Sequence, residues 1–331
     1  MPLIGASRSL VAQGLAALST TSRAGIRSLL DVSGNIGKTV TTYEVGYMLA
    51  PRINAFGRLG DATDALRLLC TNNEQKAAQL AKKAQEANTK RQKLLETAVE
   101  EATRMVSGKE KLIVVFSPNW EEGIVGLIAA KLVEKFYRPA IVLTVGNGFA
   151  KGSARSIPGF DITYFLRQHK AFLLEAGGHK AAAGLKLTTA QVSEFIEYAQ
   201  KSAETLLTDA DLVPQLTVDI AMPISVATLE LALELEILQP FGIGNPKPVF
   251  YSTAQVIEVK KMGKNNDHLK LAVKDNKGFP IEILFFSKAK EHSDITAGQN
   301  VEIAYCLDVN RWNGTEKVQG IGKYLLKKYQ F

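Results

Sequence analysis

Apolar residues recur at helical spacing through the first third of the chain. Leu10, Val11, Leu15 and Leu18 fall on one stripe and Ile26, Leu29 and Leu30 on another, which predicts short helices over residues 1–70. Asn73 stands as an N-cap before a longer pattern that begins at Lys76 and runs to about Val106. Ala77, Leu80, Ala81, Ala84, Ala87, Leu94, Leu95, Ala98, Val99 and Ala102 keep helical register there, with no Gly or Pro between them. A helix of about 30 residues reaches about 45 Å at 1.5 Å per residue, longer than one domain needs, so the pattern predicts a connector between two.

From Lys111 the period changes. Leu112–Phe116 and Ala140–Thr144 read as short buried strands, with amphipathic helices at Ile124–Phe136 and Gln191–Leu207. Alternating strand and helix over residues 111–190 predicts an α/β domain around a buried sheet. Residues 209–214 read as a linker, followed by a helix near Val226–Leu235. Five strands are then predicted at Phe250–Lys260, His268–Lys274, Phe279–Phe286, Asn300–Leu307 and Val318–Tyr324, parted by Asn-, Asp- and Gly-rich turns. Such a run fits a small Greek-key barrel of the OB type. The fold class is thus α/β plus all-β.

Composition changes this picture little. With 331 residues, 46% hydrophobic and 22% charged, the chain has the make-up of a soluble globular protein with about two domains. No apolar run approaches membrane-spanning length, and the first residues lack the pattern of a secretory signal. Cys70 and Cys306 are isolated, which suits a reducing cytoplasm and gives no metal spacing. Charge is more informative. From Lys247 onward there are fourteen Lys or Arg against nine Asp or Glu, a net of +5 out of the chain's +7. A basic C-terminal quarter favours a polyanionic partner.

Several segments offer chemistry. In Glu175-Ala-Gly-Gly-His-Lys-Ala-Ala-Ala-Gly184, Gly177 and Gly178 leave backbone N–H groups bare beside His179, a donor-rich turn suited to an anion; a tight strand–helix turn with a buried His is the plainer alternative. Pro51–Asp61 reads as a non-periodic loop in which Arg52 and Arg58, with Asn54 between, are each able to fork onto a phosphate. Ser153, Arg155 and Ser156 follow the second strand as a candidate phosphate clamp. Trp120, at a strand-to-helix turn, reads as core, with stacking on a base as the alternative. Residues 238–248 form a Pro/Gly elbow that brings Lys247 near a bound strand. In the barrel, Lys260, Lys261, Lys264, Lys270, Arg311 and Lys317 interleave with Tyr251, His268, Phe285 and Trp312, the mixture that grips single strands by charge and stacking. Most of these aromatics must fill the core, so Trp312, on a turn, is the stacking candidate.

The Gly-Gly-His run resembles the signature of the DHHA1 domain of DHH-family phosphoesterases. Taken in order, PRINAFGRLGDA, the long helix, WEEGIVGLIAAKL, GSARSIPGFDI, GGHKAAAG and LQPFGIGNPKPVF resemble the C-terminal part of the RecJ exonuclease family. The resemblance implies a division into C-terminal helices of the DHH domain (1–72), a connecting helix (73–108), a DHHA1 domain (109–208) and an OB domain (209–331). It implies single-stranded DNA as substrate, 5′→3′ hydrolysis in repair and recombination, and Mn²⁺ or Mg²⁺ held by ligands outside this chain. Arg58, Ser153, Arg155, Ser156 and His179 would then line a groove and hold the DNA backbone, with His179 the residue nearest a catalytic role. A single-strand-binding protein and a helicase are the implied protein partners, and the implied state is a monomer. Two departures stand out. Glu121 occupies the place of the family's His, and the Asp and Asp-His-His motifs of the metal-binding half are not in this chain, as in a truncated or split product. A binding protein without catalysis, or another DHHA1 phosphodiesterase of short oligonucleotides, remain the alternatives.

Overall fold

The computed structural model describes residues 1–327; the last four positions expected in the barrel domain, 328–331, lie outside the described residues. Contacts divide the chain into two compact units, one of Ala16–Gln215 and one of Met1–Leu15 together with the chain from Leu216 onward. The first helix, α1 (Gly5–Ser19), crosses that division.

The unit Ala16–Gln215 begins with α2 (Ala24–Val32) and a π-helical turn at Glu44–Leu49 that runs into α3 (Ala50–Leu59). The loop expected over residues 51–61 is therefore helix as far as Leu59. Pro51 lies in the first turn, where its missing N–H is an orphan in any helix. Among the α3 residues only Ala55 is buried; Ile53, Phe56 and Leu59 recur at helical spacing but are only half-buried, and the Pro, Gly and Arg set among them make the segment read as loop. After α4 (Thr63–Cys70), the predicted long helix appears as α5 (Glu74–Met105), 32 residues or about 48 Å long. The Asn73 side chain caps it, accepting from the Lys76 N–H at 2.8 Å. Ala77, Leu80, Ala81 and Ala84 bury against α2, α3 and α4, while Ala98 and Ala102 join the core beneath the sheet.

That sheet is built from β1 (Ile113–Ser117), α6 (Glu122–Phe136), β2 (Ala140–Gly146), β3 (Phe149–Arg155), α7 (Ile162–Gln168), β4 (Glu175–His179), β5 (Ala182–Thr188) and α8 (Val192–Leu206). Strand order is β1-β2-β3-β5-β4; β1 and β2 run parallel across the α6 connection and the other pairs are antiparallel. One expectation changes here. Ser153 and Arg155 lie on strand β3, and Gly-Gly-His is the edge strand β4 of a β4–β5 hairpin rather than a turn. Its bare glycines made it read as a turn; cross-strand pairing with Ala182–Lys186 holds it extended. The expected linker also begins later, since Leu212 is buried in the same core and Arg138 donates to its carbonyl at 3.0 Å.

The second unit contains β6 (Ile220–Ala221), α9 (Leu229–Leu235), β7 (Phe250–Met262), β8 (His268–Lys274), β9 (Ile281–Phe285), β10 (Asn300–Trp312) and β11 (Thr315–Lys327). Pairing runs β7-β8-β9-β11-β10 and returns from β10 to β7, a five-strand ring of OB order. The ring is thinnest where β9 meets β11, in parallel over three residue pairs. Alternate residues point inward, so Val256, Leu269, Leu271, Val273, Ile283, Phe285, Ile303 and Tyr305 form the core. Phe285 is thus core and not a stacking residue, and Gly322 is bare because its ring lies there, 2.2 Å from where a Cβ would stand. The opening residues, read from sequence only as part of a helical segment, strap onto the Pro/Gly elbow. Leu3 N–H donates to Ile243 O at 2.6 Å, and the Arg8 guanidinium donates to the carbonyls of Ile237 and Gln239.

Packing in the two units generates two predictions. Ser252 donates to Met222 O at 2.7 Å, so at 3.0 Å it accepts from the Tyr305 hydroxyl, which burial pushes up from 10.0 to about 12. Below pH 10 this phenol is protonated in both states; as pH rises from 10 to about 12 the unfolded chain ionises first and stability falls. The slope of denaturation midpoint against pH in that window should shrink in Tyr305→Phe. In β4, a Cβ on Gly178, at φ +153°, would stand 2.3 Å from the Ala182 carbonyl oxygen, whereas one on Gly177 would meet nothing within 4 Å. Urea unfolding should show Gly178→Ala destabilised by about 1–3 kcal/mol and Gly177→Ala within about 0.5 kcal/mol of the parent.

Candidate nucleic-acid interface

Strand alternation assembles one face of the β3–β5–β4 corner. Lys151, Ser153 and Arg155 share a side of β3; Lys186, Gly184 and Ala182 answer them on β5, and Glu175, Gly177 and His179 on β4. The middle row, Ser153–Gly184–Gly177, loses its side chains toward the sheet edge. α6 covers β2 and β3 on this side, and its first turn and the end of α3 wall the exposed strip into a groove of about 850 Å³. Gly57, Arg58, Gly123, Gly126, Ser153, Arg155, Gly177 and Gly184 are among its lining.

Glycine makes the wall possible. A Cβ on Gly123 would lie 1.9 Å from the carbonyl oxygen of Arg58, so α6 meets α3 backbone to backbone. Arg58 Nη1 donates to Gly123 O at 2.8 Å across that contact. Gly126, one turn on, leaves room for the Arg155 guanidinium and the Ser153 hydroxyl, each 3.0 Å from where its Cβ would be.

The electrostatics are selective. Lys151 pairs with Glu122 at 2.9 Å and Lys186 with Glu175 at 3.8 Å, which neutralises the lysines of the groove. Among the described residues the arginines have no such partner. Arg58 donates to a backbone carbonyl, and Arg155 to Ser153 Oγ and Ala154 O, each at 2.8 Å. Burial, with Arg58 close by, holds the Arg155 guanidinium below the usual arginine range. A third arginine, which the sequence reading missed, belongs to this cluster. Arg91 on α5 is lowered by burial and then by Arg58; its Nη2 donates to the buried Asn88 at 2.9 Å, and its buried Nε has no partner among the described residues. Only the helix pairing reveals it: Arg52 bonds Gln85 at 2.7 Å, and Arg58 and Arg91 stand six residues further along the same two helices.

The structure brings some expected site residues together and separates others. Arg58, Ser153, Arg155 and Gly177 line the groove, and His179 is exposed at the end of the same face, its carbonyl accepting from Thr163 Oγ1. Gly178 belongs to the hairpin's backbone contact. Ser156 is occupied, donating to Phe160 O at 2.6 Å. Arg52 sits at the far end of α3, bound to Gln85 and Met48 O and lowered by burial, while Asn54 is exposed between the two arginines. Trp120 is core, its indole N–H donating to Glu101 at 2.8 Å, and Glu121 is exposed at the start of α6. In the barrel unit, Lys247 is paired with Asp308 at 2.7 Å, Lys264 lies in the β7–β8 turn, and Trp312, 72% exposed, ends β10. Arg311 is held by Glu236 and Glu316. Among the described residues, no group of three or more His, Cys, Asp or Glu converges to hold a metal ion, and no helix is long and apolar enough to cross a membrane. The side chains present do not make a ligand set for Mn²⁺ or Mg²⁺.

Known proteins share this fold. Residues 109–205 match the DHHA1 domain and residues 218–323 the RecJ OB domain. The chain is 35% identical to the single-stranded-DNA-specific exonuclease RecJ of Bacillus subtilis (strain 168), over 96% of this chain and 41% of that one. To RecJ of Thermus thermophilus it is 32% identical, over 95% of this chain and 44% of that one. The crystal structure of T. thermophilus RecJ in complex with Mn²⁺ superposes with a TM-score of 0.86 at 30% identity, covering 99% of this chain and 48% of that one, and its Mg²⁺ complex gives the same score. The chain spans less than half the length of the two curated relatives. With a DHHA1 domain leading into a RecJ OB domain, the chain belongs to the RecJ family.

Proposed function

We propose that this chain is the substrate-gripping part of a single-stranded-DNA exonuclease that works 5′→3′ in repair and recombination in the cytoplasm. The carrying observation is the pair of arginines, Arg58 and Arg155, left without carboxylates in a groove whose lysines are already neutralised. Two half-buried like charges repel, and a phosphodiester is the ligand that relieves both. Each guanidinium offers a fork to phosphate oxygens, Ser153 adds a hydroxyl, and the Gly177–Gly184 floor lets a backbone lie close. His179, on the same face, is suited to hold a neighbouring phosphate as donor. Arg91 adds positive potential from behind.

The same reading keeps the division into 1–72, 73–108, 109–208 and 209–331 as helices of a DHH domain, connector, DHHA1 and OB domains. Mn²⁺ or Mg²⁺ would be held by residues outside this chain. Lys264 and Trp312 lie on the two turns that OB barrels commonly use for single strands, where a lysine tracks phosphate and an indole stacks on a base. Lys247 contributes only if a phosphate displaces Asp308. The working form is a monomer, with a single-strand-binding protein and a helicase as partners.

Fluorescence anisotropy with a labelled single strand tests this. Arg155→Ala should weaken binding about 10- to 100-fold, the range of a lost charge-assisted contact, and reduce the slope of log affinity against log salt by about one. Gly177→Ala, neutral for stability, should also weaken it by crowding the floor. Parent-like affinity in both variants would show that the groove is not the strand's seat.

A further inference from the structure

Ahead of α3 stands an aromatic pair that the groove does not use. Tyr43 and Tyr47 are 58% and 71% exposed, and their rings stack with centroids 5.1 Å apart and 28° between planes. Tyr47 is in the π-helical turn Glu44–Leu49, an irregularity found often at functional sites. That turn continues directly into α3, so Tyr47 stands at the head of the helix on which spacings of three and four carry Pro51, Asn54 and Arg58 along one side. Arg58 is the groove wall. Eleven residues at 1.5 Å put Tyr47 about 16 Å from it.

The stripe between them suits a polyanion. Over residues 43–60 the only carboxylate is Glu44, and its Oε2 is turned back to accept from the Thr41 N–H and hydroxyl at 2.8 and 2.6 Å. What remains is two exposed rings, a proline, an exposed amide and a guanidinium. A strand held by its phosphates at Arg58 and Arg155 presents unpaired bases, and flat, exposed rings are their sequence-tolerant partners.

We propose that Tyr43 and Tyr47 form a base-stacking step for the single strand that leaves the groove along α3. This rests on the groove as the phosphate seat, and it extends the bound length beyond the nucleotides that the groove holds.

The test compares a dinucleotide with a longer single strand carrying 2-aminopurine, using the full chain. Replacing both tyrosines by leucine should weaken the longer strand about tenfold or more, as loss of stacking does, abolish the quenching of 2-aminopurine, and leave the dinucleotide unchanged. Replacing both by phenylalanine should restore affinity and quenching, which separates stacking from a folding defect. Equal weakening of both lengths, or parent-like affinity and quenching in the leucine pair while Arg155→Ala does weaken binding, overturns the stacking step alone. Parent-like binding in Arg155→Ala overturns the groove itself, and the step with it.

Discussion

The contact of Gly123 on the Arg58 carbonyl fixes the rest of the site. A helix start can touch another helix's backbone only if no Cβ intervenes, and one methyl here would sit 1.9 Å from a carbonyl oxygen. That contact sets the end of α3 beside the sheet, brings Arg58 to within interaction range of Arg155, and leaves the corner beyond Ser153 uncovered. The close packing and the open strip have the same origin in small residues. One group of glycines, at 123 and 126, draws elements together; the other, at 177 and 184, leaves a floor empty.

Like charges gathered in this way work against folding unless something negative arrives. Arg58, Arg91 and Arg155 are bound to carbonyls, a hydroxyl and an amide, all dipoles and none a full charge. The neighbouring lysines show the opposite solution, each closed by a glutamate. Dipoles orient a guanidinium without cancelling it, so the arginines stay pre-positioned and electrostatically unsatisfied, the condition in which an anion gains most from binding.

Much of the fold was legible where burial writes a period into the sequence. Asn73 and the alanine stripe predicted α5 to within two residues, and the turn chemistry predicted all five barrel strands; β9 is shorter than expected, at Ile281–Phe285, while β10 runs five residues past Leu307 to Trp312 as a two-stranded ribbon. Legibility failed where burial is partial. α3 mixes its short Ile53–Phe56–Leu59 stripe with Pro, Gly and Arg and so reads as a loop; β4 spends its positions on glycine and reads as a turn, and β3, with Gly, Ser and Arg, is not assigned to a strand from its sequence. Residue chemistry singles out Arg58, Ser153, Arg155 and Gly177 segment by segment, because charged forks and bare backbone are visible in composition, but only the family resemblance implies a common groove. Arg91 was hidden among the many charged residues of a long helix, where only a contact with α3 distinguishes it.

The strap of Met1–Arg8 on the Pro/Gly elbow has a consequence in time. Arg8 bonds carbonyls 229 and 231 residues further along the chain, and the whole of Ala16–Gln215 lies between in sequence. During synthesis at roughly 5–20 residues per second, the N-terminal segment waits on the order of ten to fifty seconds for its partner to emerge. Ala16–Gln215 is complete before then, with every strand of its sheet already made. The order of emergence therefore favours the groove first and the barrel second, with the Met1–Arg8 strap among the last segments to find its place.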